Sequence, residues 1–345
     1  MCYLKKCDLK DFIEFNKKVY PMRKGLEESI HFKLNNPLIE KTNDIFYPII
    51  VEKDKNNRFI GQLQRIPCKY YINGEYYDSF WAMDYIVEES SRGSTTGVFL
   101  AEQGLKDSNF GMGLSPISFK IHLLLGEKHI GDYYKYIQFK SIFKIIRFTW
   151  SIIIKHPIKS PNKSNYYPDL VKVGTVSFQK KNRPSDINWV IDKNDYIEFS
   201  RDRDFLSWRF GSYPNIFTIY SYDDESGTQA YFIIRDVIWK GCPFVLLVDY
   251  RYKGNTLQPM LKAVRKVVKN SSNYGIITLS SFYEVDKALK HNGYIKFGSS
   301  GQIVTNAKIN IPNQRIEQRK SVFITFADSD ADFFYGNKEW YDYAE

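Results

Sequence analysis

The order of predicted helices and strands limits the fold of this chain more than any other feature of its sequence. In residues 201–328, apolar periodicity predicts a helix, three strands, a helix, a strand, a helix and a last strand. The same order closes residues 8–139, where Asn73-Gly74 is also typical of a tight β-hairpin. The pattern therefore predicts an α/β (α+β) protein made of two consecutive copies of one fold whose sequences have diverged.

A basic segment separates the two predicted units. Residues 139–165 contain six Lys or Arg residues and no Asp or Glu. We therefore predict an N-terminal unit over residues 1–140, a basic amphipathic helix and linker over 141–165, and a C-terminal unit over 166–345. Such a helix either contacts a membrane surface or bridges two units with its apolar side on protein and its lysines in water. We expect the second alternative, a helix that bridges the two units.

Charge and cysteine usage narrow the class of protein. The formal net charge of +10 favours an anionic partner, and nucleic acid, a membrane surface or a phosphorylated small molecule would each fit it. Cys2, Cys7, Cys68 and Cys242 match no zinc or redox spacing, and the histidines are dispersed, so we expect no metal. No signal-peptide core and no run of about 18 apolar residues occurs. We expect a cytoplasmic protein without an integral membrane span and leave peripheral membrane contact open.

The stretch VEESSRGSTTGVFL, residues 87–100, lies between a predicted strand and a predicted helix. Successive main-chain N–H groups at a helix N-terminus can bind a pyrophosphate. Within this stretch, Arg92 to Gly97 resemble the signature Arg/Gln-x-x-Gly-x-Gly/Ala of the GNAT superfamily, the CoA-dependent N-acyltransferases. Thr95 replaces the first glycine of that signature, and a threonine held at positive φ would be strained.

That resemblance implies a fold as well as a ligand. Each unit would be a GNAT-like domain, a mixed, largely antiparallel central sheet flanked by helices, and the first unit would bind acyl-CoA as its cosubstrate. The residues implied to hold the CoA are Val87, Arg92, Gly93, Ser94, Thr95, Thr96 and Gly97. In the second unit the corresponding loop ends with Thr256, and Leu289 stands where a proton donor would be needed. We therefore expect CoA binding in the first unit only.

The chemistry of acyl transfer points to three further residues. A thioester is already activated, so the protein must supply a neutral amine, a donor for the oxyanion and an acid for the thiolate. The family usually places a Tyr in the later helix, four residues before a Gly that opens the last strands. His122 stands at that position before Gly126, and the resemblance implies that His122 protonates the leaving thiolate. Alternatively, His122 is a polar helix residue that bonds a main-chain carbonyl.

The strand before the loop supplies the candidate bases. Asp84 is the first candidate and Glu88 the second. Strict alternation along the strand places both on the face of Ala82, and Tyr85 on the opposite face. Either carboxylate could instead be a surface group or a partner of Arg92.

The layout also resembles tandem GNAT proteins of bacterial surface-polysaccharide synthesis. That resemblance implies acyl transfer from acyl-CoA to the amine of a nucleotide-linked (dTDP or UDP) amino-deoxy sugar. Arginine suits phosphate contacts and tryptophan suits stacking on a base or sugar. The candidate acceptor-binding residues are therefore Arg201, Arg203, Trp208 and Arg209. The alternative for this segment is a packed helix with its tryptophan in the core.

Two other functions remain open at this point. Fem-type peptidoglycan ligases share the double fold but use aminoacyl-tRNA, and they usually carry a long helical arm that the sequence does not indicate. A non-enzymatic basic protein would bind membranes or nucleic acid through residues 140–163 in a salt-sensitive way. The strand, loop and helix pattern around residues 84–100 favours the acyltransferase, with no nucleic acid as partner.

Overall fold

The computed structural model describes residues 2–23, 25–39, 46–153, 166–212, 216–307 and 321–329. These residues form eight α-helices and fifteen strands. The helices are α1 (Leu9–Val19), α2 (Leu26–Leu34), α3 (Thr96–Gly104), α4 (Pro116–Leu124), α5 (Ile142–Ile153), α6 (Arg203–Leu206), α7 (Leu257–Lys269) and α8 (Tyr283–His291). The strands are β1 (Cys2–Lys5), β2 (Phe46–Lys53), β3 (Phe59–Ile72), β4 (Glu75–Val87), β5 (Asn109–Met112), β6 (Lys128–Phe139), β7 (Leu170–Val173), β8 (Val176–Lys181), β9 (Ile197–Phe199), β10 (Phe217–Asp224), β11 (Gly227–Trp239), β12 (Cys242–Tyr252), β13 (Gly275–Ser280), β14 (Ile295–Thr305) and β15 (Val322–Phe323).

The strands of both halves join in one sheet. Its order is β1-β2-β3-β4-β5-β14-β6-β13-β12-β11-β10-β8-β7. Neighbouring strands are antiparallel except for the parallel pairs β4–β5 and β12–β13, and β9 and β15 form a short parallel pair beside this path. The predicted fold class, a mixed and largely antiparallel sheet flanked by helices, is confirmed.

The two halves exchange strands at the centre of the sheet. β14, from the C-terminal half, lies between β5 and β6, and β6, from the N-terminal half, lies between β13 and β14. Each half therefore completes the hydrogen-bond ladder of the other. The predicted units 1–140 and 166–345 share a continuous main-chain network, although the part of the C-terminal unit at 308–320 and 330–345 lies outside the described residues.

Apolar periodicity accounts for where the helices pack. α7 buries Leu257, Leu261, Val264 and Val268 along one side, at the i, i+4, i+7 and i+11 spacing of an amphipathic helix. All six residues of β13 are buried, as expected for a central strand covered on both faces. The central strands are thus held rigid, and the loops at their ends are positioned by them.

The basic segment forms α5, and this helix does not pack on the protein in the expected way. Phe148 and Ser151 are buried, whereas Ile146 and Trp150 are exposed to solvent. The expectation that the apolar side of this helix rests on protein is therefore wrong. The rest of the predicted linker, residues 154–165, lies outside the described residues. Within the described part of the chain, no helix is both long and apolar enough to cross a membrane.

Candidate functional site

A cleft opens where two parallel strands of the N-terminal half separate. β4 and β5 pair only where Phe80–Ala82 face Asn109–Gly111. Beyond Ala82 the strands diverge, and a cleft of about 560 Å³ lies between them, lined on one side by Met83–Tyr85 and on the other by Met112–Ser115. The sheet therefore offers a gap with main-chain groups on both walls at the carboxyl end of β4.

A β-bulge in β4 causes part of this separation. Gln62 pairs with Ile86 and Gln64 with Met83, so Asp84 and Tyr85 together face a single residue of β3. Asp84 takes a φ of 46°, which is uncommon for a residue other than glycine. A bulge leaves one residue unpaired and bends its strand. Main-chain groups of β4 are thereby released beside the cleft.

The bulge also changes which side chains share a face. Ala82, Tyr85 and Val87 all pack against the small cluster that contains Leu63 and Leu100. Strict alternation had placed Tyr85 and Val87 opposite Ala82. That assignment is wrong beyond Met83, because the extra residue at the bulge shifts the alternation by one.

Asp84 is held by two cations. Its carboxylate lies 2.5 Å from Nη1 of Arg23 and 2.6 Å from Nζ of Lys33, and all three side chains are nearly inaccessible to solvent. Burial alone would raise the pKa of this carboxyl, but Lys33 and Arg23 outweigh burial and lower the pKa well below its usual range. A carboxylate so stabilised is a weak proton acceptor. Its environment suits a role in fixing the bulge.

A buried histidine–glutamate pair borders the cleft from α4. His122 lines the cleft, and its Nδ1 lies 2.7 Å from Oε2 of Glu127. Nε2 of the same ring is buried and has no hydrogen-bond partner among the described residues. Tyr85 contacts the ring edge-on, with the centroids 6.0 Å apart. The carboxyl group of Glu127 orients the imidazole and leaves its second nitrogen available.

The loop after β4 turns directly into α3. Gly93 takes the positive φ, 88°, whereas Thr95 has a φ of −74° and is therefore unstrained where the signature has a glycine. The Thr96 N–H donates to Oγ of Ser94 over 3.3 Å. The first N–H groups of a helix lack intrahelical acceptors, and Gly93, Ser94 and Thr95 are exposed in front of α3. The N-terminus of α3 is therefore exposed to solvent at Gly93–Thr95.

Gly97 lies where this loop meets the bulge. Oη of Tyr85 donates a hydrogen bond to the Gly97 carbonyl over 2.5 Å. A Cβ at position 97 would approach that hydroxyl to 2.9 Å, closer than real Cβ contacts. A larger residue at position 97 would therefore displace the Tyr85 hydroxyl or the loop.

Glu88 and Arg92 make contacts outside the cleft. Glu88 pairs with Lys18 of α1, and Arg92 is exposed and donates from Nε to the Val87 carbonyl over 3.2 Å. Neither is among the residues that line the cleft. Arg92 remains free to swing toward a ligand at α3, while Glu88 is poorly placed to reach an amine in the cleft.

No protein-family model matches this sequence, and no curated protein matches it either. Its structure, in contrast, matches solved proteins. A GCN5-related N-acetyltransferase from Anabaena variabilis ATCC 29413 aligns with a TM-score of 0.56 and 11% identity, over 87% of this chain and 70% of that one. The chain has the GNAT fold.

Two further solved structures share this GNAT fold. A conserved protein of unknown function from Enterococcus faecalis V583, described as a probable N-acyltransferase, aligns with a TM-score of 0.56 and 12% identity, over 88% of this chain and 70% of that one. Saccharomyces cerevisiae N-myristoyltransferase with bound myristoyl-CoA aligns with a TM-score of 0.50 and 11% identity, over 88% and 78%. At such identities the likeness establishes the fold, and function has to be argued from the site.

The second copy of the fold repeats the bulge but not the cleft. Met83-Asp84-Tyr85 of β4 corresponds to Val248-Asp249-Tyr250 of β12, where Val248 is the unpaired residue of the bulge. Tyr250 is buried between the separating strands, and its Oη donates to the Leu279 carbonyl over 3.0 Å. The space that is open in the first copy is therefore occupied by a side chain in the second.

The residues predicted to bind the acceptor are mostly committed to internal contacts. Arg201 pairs with Asp249 at 2.9 Å and with Asp328 at 2.5 Å. Trp208 stacks on Phe32 with a centroid distance of 4.9 Å and donates from Nε1 to the Phe32 carbonyl.

The two remaining acceptor candidates differ from each other. Arg209 is buried and donates to the carbonyl groups of Ala327 and Ser329. Arg203, in the first turn of α6, is exposed. The structure thus brings Asp84 and His122 to the cleft. The loop 92–97 does not line the cleft but is joined to it through the hydrogen bond from Tyr85 to Gly97. The four acceptor candidates lie elsewhere.

Proposed function

We propose that the chain is a CoA-dependent N-acyltransferase in which an amine attacks the acyl thioester directly. The observation that carries this proposal is the cleft between β4 and β5, whose lining includes His122 with its buried, unpartnered Nε2 and Tyr85, which bonds Gly97 at the N-terminus of α3. The pyrophosphate of a bound acyl-CoA would then lie at the N-terminus of α3, and its thioester would lie in the cleft near a proton-transfer group. The pyrophosphate binds at Gly93–Gly97, and the thioester enters the cleft.

The proposed mechanism uses main-chain and imidazole groups. N–H groups released at the β4 bulge stabilise the oxyanion of the tetrahedral intermediate. Neutral His122 accepts the proton of the attacking amine at Nε2 and returns it to the leaving CoA thiolate. Asp84 keeps the bulge in place through Arg23 and Lys33. Among the candidate residues, His122 alone combines access to the cleft with an unused proton-transfer atom.

For the acceptor, we propose the amine of a nucleotide-linked amino-deoxy sugar, carrying dTDP or UDP and used in surface-polysaccharide synthesis. Support comes from charge: the chain carries a net charge of +10, and Lys135 is among the residues that line the cleft. Such an amine has a pKa near that of an α-amino group, about 8, so a modest base suffices. Acyl-CoA as donor also fits a cytoplasmic location.

A thermal-shift titration with CoA and acetyl-CoA tests the donor site, with ATP as a polyphosphate control. A ligand present at about 100 times its Kd stabilises the folded state by about 2.7 kcal/mol, which raises Tm by a few degrees. Stabilisation by CoA and not by ATP is the expected result. Equal shifts with both ligands, or none with either, would contradict a CoA site at residues 92–97.

The acceptor is tested separately by following CoA thiol release with acetyl-CoA and a panel of amines. The panel contains dTDP- and UDP-linked amino sugars, the corresponding free amino sugars and an amino acid amide. Turnover restricted to the nucleotide-linked compounds supports the acceptor class. Equal turnover with the free amines would support acyltransferase activity but would contradict a nucleotide-linked sugar as the acceptor.

A further inference from the structure

α5 presents an apolar surface to solvent. Its exposed fractions are unusually high for large apolar side chains: Ile142 63%, Phe143 78%, Ile146 60%, Trp150 61% and Ile153 67%. Successive residues of an α-helix are about 100° apart, so these five side chains fall within an arc of roughly 100°. A helix that packs on its own protein normally buries such an arc.

The orientation of α5 is fixed by contacts on its other side. The ring of Phe148 lies 5.3 Å from that of Trp239 and 5.4 Å from that of Phe244. Oγ of Ser151 lies 3.2 Å from Sγ of Cys242. These contacts tie the helix to the β11–β12 hairpin, and they hold the apolar arc outward. Exposure of the arc is thus a property of the packed structure.

Three cations near this arc lack acidic partners, and of these Arg147 is exposed beside it. Lys140 donates from Nζ to the Ser271 carbonyl, and Nζ of Lys144 lies 4.4 Å from the ring centroid of Tyr274, on the packed side of α5. In the part of the chain that the structure describes, Lys140, Lys144 and Arg147 form no ion pair with a carboxylate. Burial, followed by repulsion from Lys144, lowers the pKa of Lys140, and burial with repulsion from Arg147 lowers that of Lys144. The region carries uncompensated positive charge and would gain from an anionic neighbour.

We propose that α5 docks this protein on the surface of an anionic lipid bilayer. The arc of Ile142, Phe143, Ile146, Trp150 and Ile153 would enter the boundary between headgroups and acyl chains, and the exposed Arg147 beside it would meet a lipid phosphate. Nucleic acid fits less well, because it would require the cations rather than isoleucines to be outermost. In the sequence that follows, residues 154–165 add three lysines and no acidic residue.

Docking through α5 would also bring the cleft near the bilayer. Tyr133 and Lys135 of β6 line the cleft, and α5 begins seven residues after Lys135. At about 3.3 Å per strand residue, the start of the helix lies within about 23 Å of that wall. A docked molecule would keep its cleft close to the bilayer. The inference does not depend on the proposed acyl transfer, since it concerns a separate surface.

Vesicle flotation of the full chain tests the proposal. The vesicles are phosphatidylcholine alone or phosphatidylcholine with phosphatidylglycerol, and we expect binding to the second kind. Ile146→Glu combined with Trp150→Glu should weaken that binding more than tenfold, because each change removes an apolar side chain from the interface. Val190→Glu is the matched control, since Val190 is 58% exposed at a distant place in the sequence. Arg147→Gln should weaken binding about fivefold at low salt, and this difference should disappear at high salt.

Three outcomes would contradict the proposal that α5 docks on a bilayer. The wild-type chain could stay unbound with anionic vesicles, or the double variant could float as well as the wild type. The third is a concentration-dependent dimer in light scattering that the same double variant abolishes, which would assign the arc to a second copy of the chain. All the substituted side chains of the double variant are exposed, so unchanged thermal unfolding is expected and would be checked for each variant.

Discussion

His122 and Glu127 form a buried pair in which Nδ1 of the imidazole lies 2.7 Å from Oε2 of the carboxyl group. An N–H at Nδ1 donates to Glu127, and this leaves the lone pair of the neutral ring on Nε2. Nε2 has no hydrogen-bond partner among the described residues, and the ring lines the cleft. The pair therefore has the arrangement of a proton-transfer group held in one tautomer.

Replacing His122 with Phe should lower kcat by about 100-fold, the lower end of the range for loss of a general acid or base. CoA affinity should stay within twofold, since the pyrophosphate binds at a different place. Single-turnover acyl transfer and CoA titration measure the two quantities. His129→Phe is the control, because His129 bonds Asp132 on β6 and does not line the cleft. Full activity of His122→Phe would return His122 to a structural role.

Glu127→Gln separates positioning from proton transfer. The amide keeps a hydrogen-bonding group beside Nδ1 but removes the negative charge that stabilises a protonated ring. We expect kcat to fall by about tenfold with KM unchanged, and the acid limb of the kcat profile to move to lower pH. A fall in stability with an unmoved pH profile would show that Glu127 only supports packing.

Gly97→Ala should weaken CoA binding by about tenfold, because the new Cβ meets Oη of Tyr85 at 2.9 Å and displaces the loop. Tyr85→Phe removes that hydroxyl, so the double variant should regain most of the affinity. A double-mutant cycle of CoA dissociation constants measures the coupling. Gly211→Ala is a neutral control, since its Cβ would meet its nearest neighbour at 3.9 Å. Additive effects would refute the steric explanation.

Local patterns in the sequence predicted much of the fold. Helical and period-2 spacing gave the order of elements, and the Asn73-Gly74 turn has the positive φ values, 54° and 98°, that this dipeptide favours. β14 was missed because Gly298 to Gly301 interrupt its alternation. Gly301 is needed there, since a Cβ would meet the ring of Tyr133 at 2.1 Å. The exchange of β6 and β14 depends on contacts between residues distant in sequence. Local sequence patterns cannot predict such contacts.

The candidate site was also predictable only in part. The loop 92–97 and His122 stand out as short motifs, but Glu127 becomes informative only when folding brings it to the imidazole. The repeated Asp-Tyr of Met83-Asp84-Tyr85 and Val248-Asp249-Tyr250 was a signal of paired bulges that alternation alone does not predict. Likewise, the orientation of α5 is set by the hairpin at Cys242 rather than by its own periodicity.

Asp84→Asn should destabilise the fold more than it affects chemistry. Because the folded-state pKa of Asp84 is lowered, its ion pairs stabilise the protein above the unfolded-state pKa of about 4, and this contribution is lost as pH falls toward the folded value. At pH 7 we expect a loss of about 3–5 kcal/mol in the free energy of unfolding, since Lys33 and Arg23 stay buried without their anion.

Urea unfolding at a series of pH values measures this effect. The wild type should lose stability as pH falls below 4, and Asp84→Asn should show a shallower slope there. Asn tolerates the positive φ at this position, so backbone strain is not added. Asp192→Asn, which removes an exposed pair with Lys253, should cost less than about 1 kcal/mol. Equal stability of Asp84→Asn and wild type at pH 7 would exclude the structural role.

The chain should bind one CoA molecule, although its fold contains two copies of the bulge. In the second copy Tyr250 of β12 bonds the Leu279 carbonyl of β13 and fills the space between these strands. Arg251, near the end of β12, is buried against Glu198 and Asp249. Calorimetric titration with CoA should therefore saturate at one equivalent, and Gly97→Ala should weaken that one site. Gly254→Ala, in the counterpart loop, should leave the isotherm unchanged apart from any loss of stability at its φ of 51°. Saturation at two equivalents would show that Tyr250 moves aside and that both copies bind the donor.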